Sequence, residues 1–227
     1  MAMVESGLRA ASVRAPTDVI EALQLLLLVE YLEADFHTRG LAAAGLIPTA
    51  DRAVFSTIAA HQTAHVTALS ALIQSRSATP RSKPAFDFTA HGNVSGFAFL
   101  PTQYETFRQL AHAFEDLGVR AYKGQLTRLI DDKPALLSVL AMHSVEARHA
   151  SEIRRLRGRK GWITGSSSDD LPVFLFPIYL GEDNTTQGSV NVSQFSGSAG
   201  GASAASEAFD EPLTFAQVNT ILTPFLA

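Results

Sequence analysis

Two residue pairs with the same internal spacing carry the chemistry of this sequence: Gln62-x-x-His65, within Ala60-His-Gln-Thr-Ala-His-Val66, and Glu146-x-x-His149, within Val145-Glu-Ala-Arg-His-Ala150. On a helix, positions i and i+3 lie on one face a turn apart, so both side chains of a pair can reach one point. A Glu precedes each pair at the same distance to within one residue, Glu30 before Gln62 and Glu115 before Glu146. Each Glu is followed, at one common offset, by a polar-tipped ring, His37 or Tyr122. This reads as one two-helix unit used twice. Carboxylates and imidazoles converging from facing helices suit iron, manganese or zinc. The candidate metal ligands are therefore Glu30, Gln62, His65, Glu115, Glu146 and His149, with His37 and Tyr122 as hydrogen-bond partners of the carboxylates. Taken singly, His65 and His149 read as satisfied core histidines; their shared offset favours ligation. Glu33 replaces Glu30 as the inward residue if the helix register shifts. Otherwise Glu33, Asp35, Asp116 and Glu152 fall on solvated faces or in salt bridges, and His61, His91, His112 and His143 are structural or surface residues.

These positions need helices to hold them. Asp18-Val-Ile-Glu21 reads as a helix start, and Leu23, Leu26, Leu27, Glu30, Ala34, His37 and Leu41 follow at helical spacing. An unpaired carboxylate within that apolar stripe would be costly. Thr49 is placed to cap a second helix, over about 51–76, with a stripe of Val54, Ile58, His61, His65, Ala68, Leu69 and Leu72. Residues 77–101, with Pro80, Pro84, Pro101, Gly92 and Gly96, read as a long irregular connection able to run the height of a bundle. A third helix opens at Pro101-Thr102 and carries Phe107, Phe114, Glu115, Gly118 and Tyr122. A fourth runs over about 134–159, with a stripe of Leu136, Val139, Leu140, His143, Glu146, Ala147, Ala150 and Ile153. The predicted fold is all-α: a four-helix bundle over residues 18–162 with a long crossover between helices two and three. Residues 1–17 form an arm. Residues 163–227 form a largely irregular extension that packs on the bundle or on a neighbouring subunit, with a flexible linker at 196–206. It ends in a short helix capped by Thr214-Phe-Ala-Gln217.

Composition limits what the bundle can do. A chain of 227 residues, 46% hydrophobic and 18% charged, can bury a full core. The net charge of -4 argues against a nucleic-acid partner, which needs a basic face. The absence of cysteine excludes disulfides, thiolate ligands and thiol catalysis. No apolar run is long enough for a membrane span. The N-terminal Met-Ala-Met-Val-Glu-Ser-Gly shows no export signal, so the expected compartment is the cytoplasm, or the exterior if a leader was removed. The apolar and Gly/Ser-rich extension is expected to make a homo-oligomer.

Together with the two pairs, Leu28-Val-Glu-Tyr-Leu-Glu-Ala-Asp-Phe-His37 and Phe114-Glu-Asp-Leu-Gly-Val-Arg-Ala-Tyr-Lys123 resemble the ferritin-like domain of the desiccation-related protein family. Gly181-Glu-Asp-Asn-Thr-Thr-Gln-Gly188 and Glu207-Ala-Phe-Asp-Glu-Pro-Leu-Thr214 with Gln217 carry the resemblance into the extension. The resemblance implies a ferritin-like bundle, a di-metal carboxylate site and a role in stress or desiccation. It also implies a Glu where this chain has Gln62, a residue that bridges two ions in related sites. An amide is neutral and bridges poorly, so three ligand carboxylates remain, Glu30, Glu115 and Glu146. The expectation is one well-held ion or two weakly held ones, with redox turnover impaired. Two other readings compete: a metal-free structural or assembly-forming scaffold, and a di-metal oxidase or peroxide-dismutating enzyme.

Overall fold

The computed structural model describes residues 16–227. The arm expected over residues 1–17 lies outside them apart from its last two residues, which already belong to a helix. Four long helices make the body: α1 Pro16–Ala42, α2 Thr49–Gln74, α3 Tyr104–Gln125 and α4 Lys133–Leu156. Short connections join α1 to α2 and α3 to α4 as two antiparallel hairpins, and the segment from Ser75 to Leu100 crosses over between them. Asp132 fixes where the hairpins meet. It caps α4 by accepting from the Ala135 N–H (3.1 Å) and takes the Arg76 guanidinium in two hydrogen bonds (2.6 and 2.5 Å), which ties the end of α2 to the start of α4.

The first helix is apolar around most of its circumference: Leu23, Leu25, Leu26, Leu27, Leu28, Val29, Leu32 and Phe36 are all buried. Such a helix is stable only with cover on every side. Helices α2 and α3 supply two sides, and the crossover supplies Phe88 and Phe97, whose rings lie 5.1 and 6.2 Å from that of Phe36. Phe107 stacks on Phe36 at 4.7 Å, and Phe114 meets it edge-on at 5.0 Å. Each ring so buried contributes about 1.5–3 kcal/mol.

On α2 the inward line is Phe55, Ile58, Gln62, His65, Leu69 and Ile73, which keeps Ile58, His65 and Leu69 of the predicted stripe, whereas His61 and Ala68 face out. Thr49 does not cap this helix. Pro48 occupies that position, and Thr49 is the first helical residue. On α4 the inward line is Ala135, Val139, Met142, Glu146, His149 and Ile153, whereas Leu140 and Ala147 are exposed. Leucines on the outward face, Leu137 among them, blur the hydrophobic contrast from which a stripe is read.

After α4 the chain runs along α3 and α1. Arg120, on α3, is buried and reaches the carbonyls of Ile178, Leu180 and Glu211 and the carboxylate of Glu182 (2.7 Å). A buried guanidinium is tolerable only when paired and hydrogen-bonded throughout. Gly124 lets the extension's backbone touch α3, since a Cβ there would lie 1.8 Å from the Leu213 carbonyl oxygen. The expected linker at 196–206 is not one. Residues Gly201–Glu207 form a helix, α5, entered through the left-handed conformations of Gly200 and Gly201. Glu207 holds it by accepting from Lys160 (2.8 Å) and from the Trp162 indole (2.8 Å). The Thr214–Gln217 capping box opens the last helix, α6 Phe215–Leu222. The chain closes with Phe225 edge-on against Phe114 at 4.9 Å. No helix among the described residues is long and apolar enough to cross a membrane.

Candidate metal centre

Midway along the bundle every long helix turns polar residues inward. From α1 come Glu30 and Glu33, from α2 Gln62 and His65, from α3 Glu115, and from α4 Glu146 and His149. The four Glu residues and Gln62 are fully buried, and His65 and His149 keep 7% and 4% of their surface exposed. His65 Nδ1 lies 2.8 Å from Glu146 Oε1 and 3.3 Å from Glu30 Oε1. His149 Nδ1 lies 3.3 Å from Glu115 Oε2 and 3.5 Å from Glu146 Oε2. Two donor triads result, Glu30–His65–Glu146 and Glu115–Glu146–His149, each with its donor atoms within 4.8 Å of one another. They share Glu146, which turns one oxygen to each.

Two rings brace the triads crosswise. Tyr122, on α3, donates to Glu30 on α1, and His37, on α1, hydrogen-bonds Glu115 on α3 (2.7 Å). The common offset visible in the sequence is the spacing such a crossed pair needs.

Glu33 corrects the sequence reading. It is neither an alternative to Glu30 nor on a solvated face: both carboxylates are buried, because Gly118 on α3 leaves room for the second. Gln62 Nε2 donates to Glu33 Oε2 (3.1 Å) and Glu146 Oε2 (3.0 Å) and lies 3.5 Å from Glu115 Oε2. Asp116 is in a salt bridge, the second of the two places expected for it: it is buried, paired with Arg154 (2.5 Å) and bonded by the Tyr179 hydroxyl (2.8 Å). Sequence reasoning also left out the contact of His61, whose Nδ1 lies 2.9 Å from His149 Nε2. Its place three residues before neither member of a pair gave no signal.

The charges pull against one another. Burial and the nearby Glu146 raise Glu30 to about 7, despite His65 and Tyr122. Burial, then Glu146, Glu115 and Glu30, hold Glu33 far above the carboxylate range. Burial works against charge on the imidazoles, yet the carboxylates prevail: Glu146 and Glu30 bring His65 to about 9, and Glu115 and Glu146 bring His149 to about 10. Glu146 is opposed by burial and still held well below its ordinary range by His149 and His65. Hydrogen bonding does not resolve the cluster. Glu30 Oε2, Glu33 Oε1, His65 Nδ1, Glu146 Oε1 and His149 Nδ1 are buried without a hydrogen-bond partner, and His65 Nδ1 and Glu146 Oε1 approach closely without aligning. Buried polar atoms left in this state are costly. Donors that converge but do not bond one another fit a cation placed between them.

Residues 18–159 match the ferritin-like domain family. The chain belongs to that family. Its all-α architecture, two helical hairpins joined by a long crossover, is the ferritin-like bundle, and the carboxylate–histidine core lies where such bundles build metal sites from facing helices. Against curated proteins the chain finds no significant match. In this ferritin-like core the buried carboxylate and His groups could hold a metal ion.

Proposed function

We propose that the chain is a metal-binding stress protein, related to the desiccation-related ferritin-like proteins, whose core takes up iron, manganese or zinc. The observation that carries this reading is the pair of donor triads meeting at Glu146, with imidazole and carboxylate atoms buried and unbonded. The ligands in this reading are Glu30, His65, Glu115, Glu146 and His149. When bound, the metal would supply Lewis-acid or redox chemistry. Tyr122 and His37 hold Glu30 and Glu115 in orientation, and the surrounding apolar side chains keep water out.

A structural, metal-free scaffold is the competing reading, and Gln62 favours it. Its amide already donates to Glu33 and Glu146, so it neutralises part of the carboxylate repulsion that a cation would otherwise relieve.

The test is metal content by mass spectrometry on protein purified without chelators, for wild type and for the double variant Glu146→Ala/His149→Ala, with helicity checked by circular dichroism. We expect about one or two ions per wild-type chain, as a ferritin-like carboxylate site holds, and their loss from a double variant that stays helical. Wild-type protein that is folded, metal-free and refuses iron, manganese and zinc in excess would overturn the reading.

A further inference from the structure

Glu33 is the residue for which the expected ligand set has no use, and its surroundings suggest one. It is fully buried, its Oε2 accepts from Gln62 Nε2 at 3.1 Å, and its Oε1 has no partner. The same amide nitrogen lies 3.0 Å from Glu146 Oε2, so Glu33 is linked through one donor to the carboxylate that both triads share. Opposite stands Gly118. A Cβ on that residue would lie 2.7 Å from Glu33 Oε1 and 3.4 Å from Glu146 Oε2, so the space the absent side chain leaves is taken by the two carboxylates. No salt bridge neutralises Glu33 among the described residues; an amide is its one hydrogen-bonding neighbour. A buried carboxylate so poorly compensated is costly unless a cation joins it.

We propose that Glu33 replaces the carboxylate lost at Gln62, so that this centre binds two divalent ions and not one. This rests on the reading of the core as a metal site. Charge supports it. Glu30, Glu115 and Glu146 leave two divalent ions under-compensated, and Glu33 brings the carboxylates to four, one negative charge for each positive charge. Geometry supports it too. Glu33 enters from α1, one turn beyond Glu30, on the same side of the cluster as Gln62. The carboxylate is thereby moved from the second helix to the first while the cluster keeps its charge.

The test is titration of the full chain with Co(II), whose visible absorption reports both stoichiometry and coordination. Wild type is expected to take up two Co(II) per chain. Glu33→Gln, nearly isosteric, is expected to retain one and to bind the second about 100-fold more weakly or worse. Gly118→Ala, which crowds Glu33, should show the same selective loss, with helicity confirmed for both variants. Adding Gln62→Glu to Glu33→Gln returns the carboxylate to the second helix and should restore the second ion. Binding of one ion only by wild type, or of two with unchanged affinity by Glu33→Gln, would overturn the role of Glu33 and leave the metal centre standing. Failure of wild type to bind Co(II) at all would overturn both.

Discussion

Glu146 is the residue on which the two halves of the core meet, and the imidazoles on either side of it decide how the centre responds to pH. His65 and His149, with values near 9 and 10, carry protons at neutral pH when no ion is present, and a ligand imidazole must be neutral. Each triad holds one imidazole, so metal uptake at pH 7 should release one proton per ring, with part of another from Glu30 at about 7, and the affinity for each ion should climb about tenfold per pH unit between pH 7 and 9. Calorimetric titration in two buffers of different ionisation enthalpy counts the protons; release of less than one proton in all, the share that Glu30 alone can supply, would show that the imidazoles are not ligands. The metal-free protein has the opposite slope. Values raised above those of the unfolded chain mean that the contribution of the two rings is complete below pH 6.5 and lost as pH rises through 9 to 10, while that of Glu30 is lost between 4.5 and 7, so a melting temperature falling over these windows is expected without metal and a flatter profile with it. At this scale the Glu-x-x-His spacing and the paired rings were legible, because helical periodicity converts spacing directly into a shared face. The burial of Glu33 was not. Polar residues locate the outward face of a helix, and α1 is so apolar all round that Glu30 and Glu33 could not be sorted by contrast with their neighbours.

Among the elements, the four long helices were readable from their caps and breakers, and the errors are instructive. The stripes expected on α2 and α4 differ from the observed inward lines because both helices carry apolar residues on their outer faces, Leu137 and Leu140 on α4 most plainly. The segment expected to be a linker forms α5 because Glu207 finds Lys160 and Trp162, partners distant in sequence that composition cannot reveal. The extension likewise depends on contacts that no local pattern encodes, with Gly124 the clearest. Gly124→Ala sets a methyl group against the Leu213 carbonyl, which must move away and disturb the hydrogen bond that the Leu213 N–H donates to the Arg120 carbonyl (3.0 Å). Overpacking of this kind costs about 1–3 kcal/mol. Denaturant unfolding should show that loss, and limited proteolysis should cut within residues 163–227 faster than in wild type. Unchanged resistance would mean that the extension is held mainly by Arg120 and the Phe225–Phe114 contact. Metal content should not change, since Gly124 lies outside the donor cluster.

In the whole molecule, the extension and α6 lie against α1 and α3, and the centre communicates with solvent on the opposite side. Of the six candidate ligands, Glu30, Gln62, Glu115 and Glu146 have no exposed surface, and His65 and His149, on α2 and α4, have a little. A groove of about 440 Å³ opens there, walled by Ala53, Val54, Thr57, Ile58 and Val145, with His149 at its floor and His61, Arg148 and Glu152 around it. His61 lines the groove beside His149, with its Nδ1 2.9 Å from His149 Nε2. We expect a small ion to reach the donors through this groove, because its lining includes the ligand His149. Thr57→Trp, placed on the exposed wall, should fill the groove and slow Co(II) uptake severalfold in stopped-flow absorption while leaving the final stoichiometry unchanged. The same substitution at Thr220, in the cleft between α6 and the extension, should leave the rate untouched. Equal rates for wild type and Thr57→Trp would place the access path elsewhere, and a loss of final stoichiometry would mean that the groove wall shapes the centre as well as leading to it.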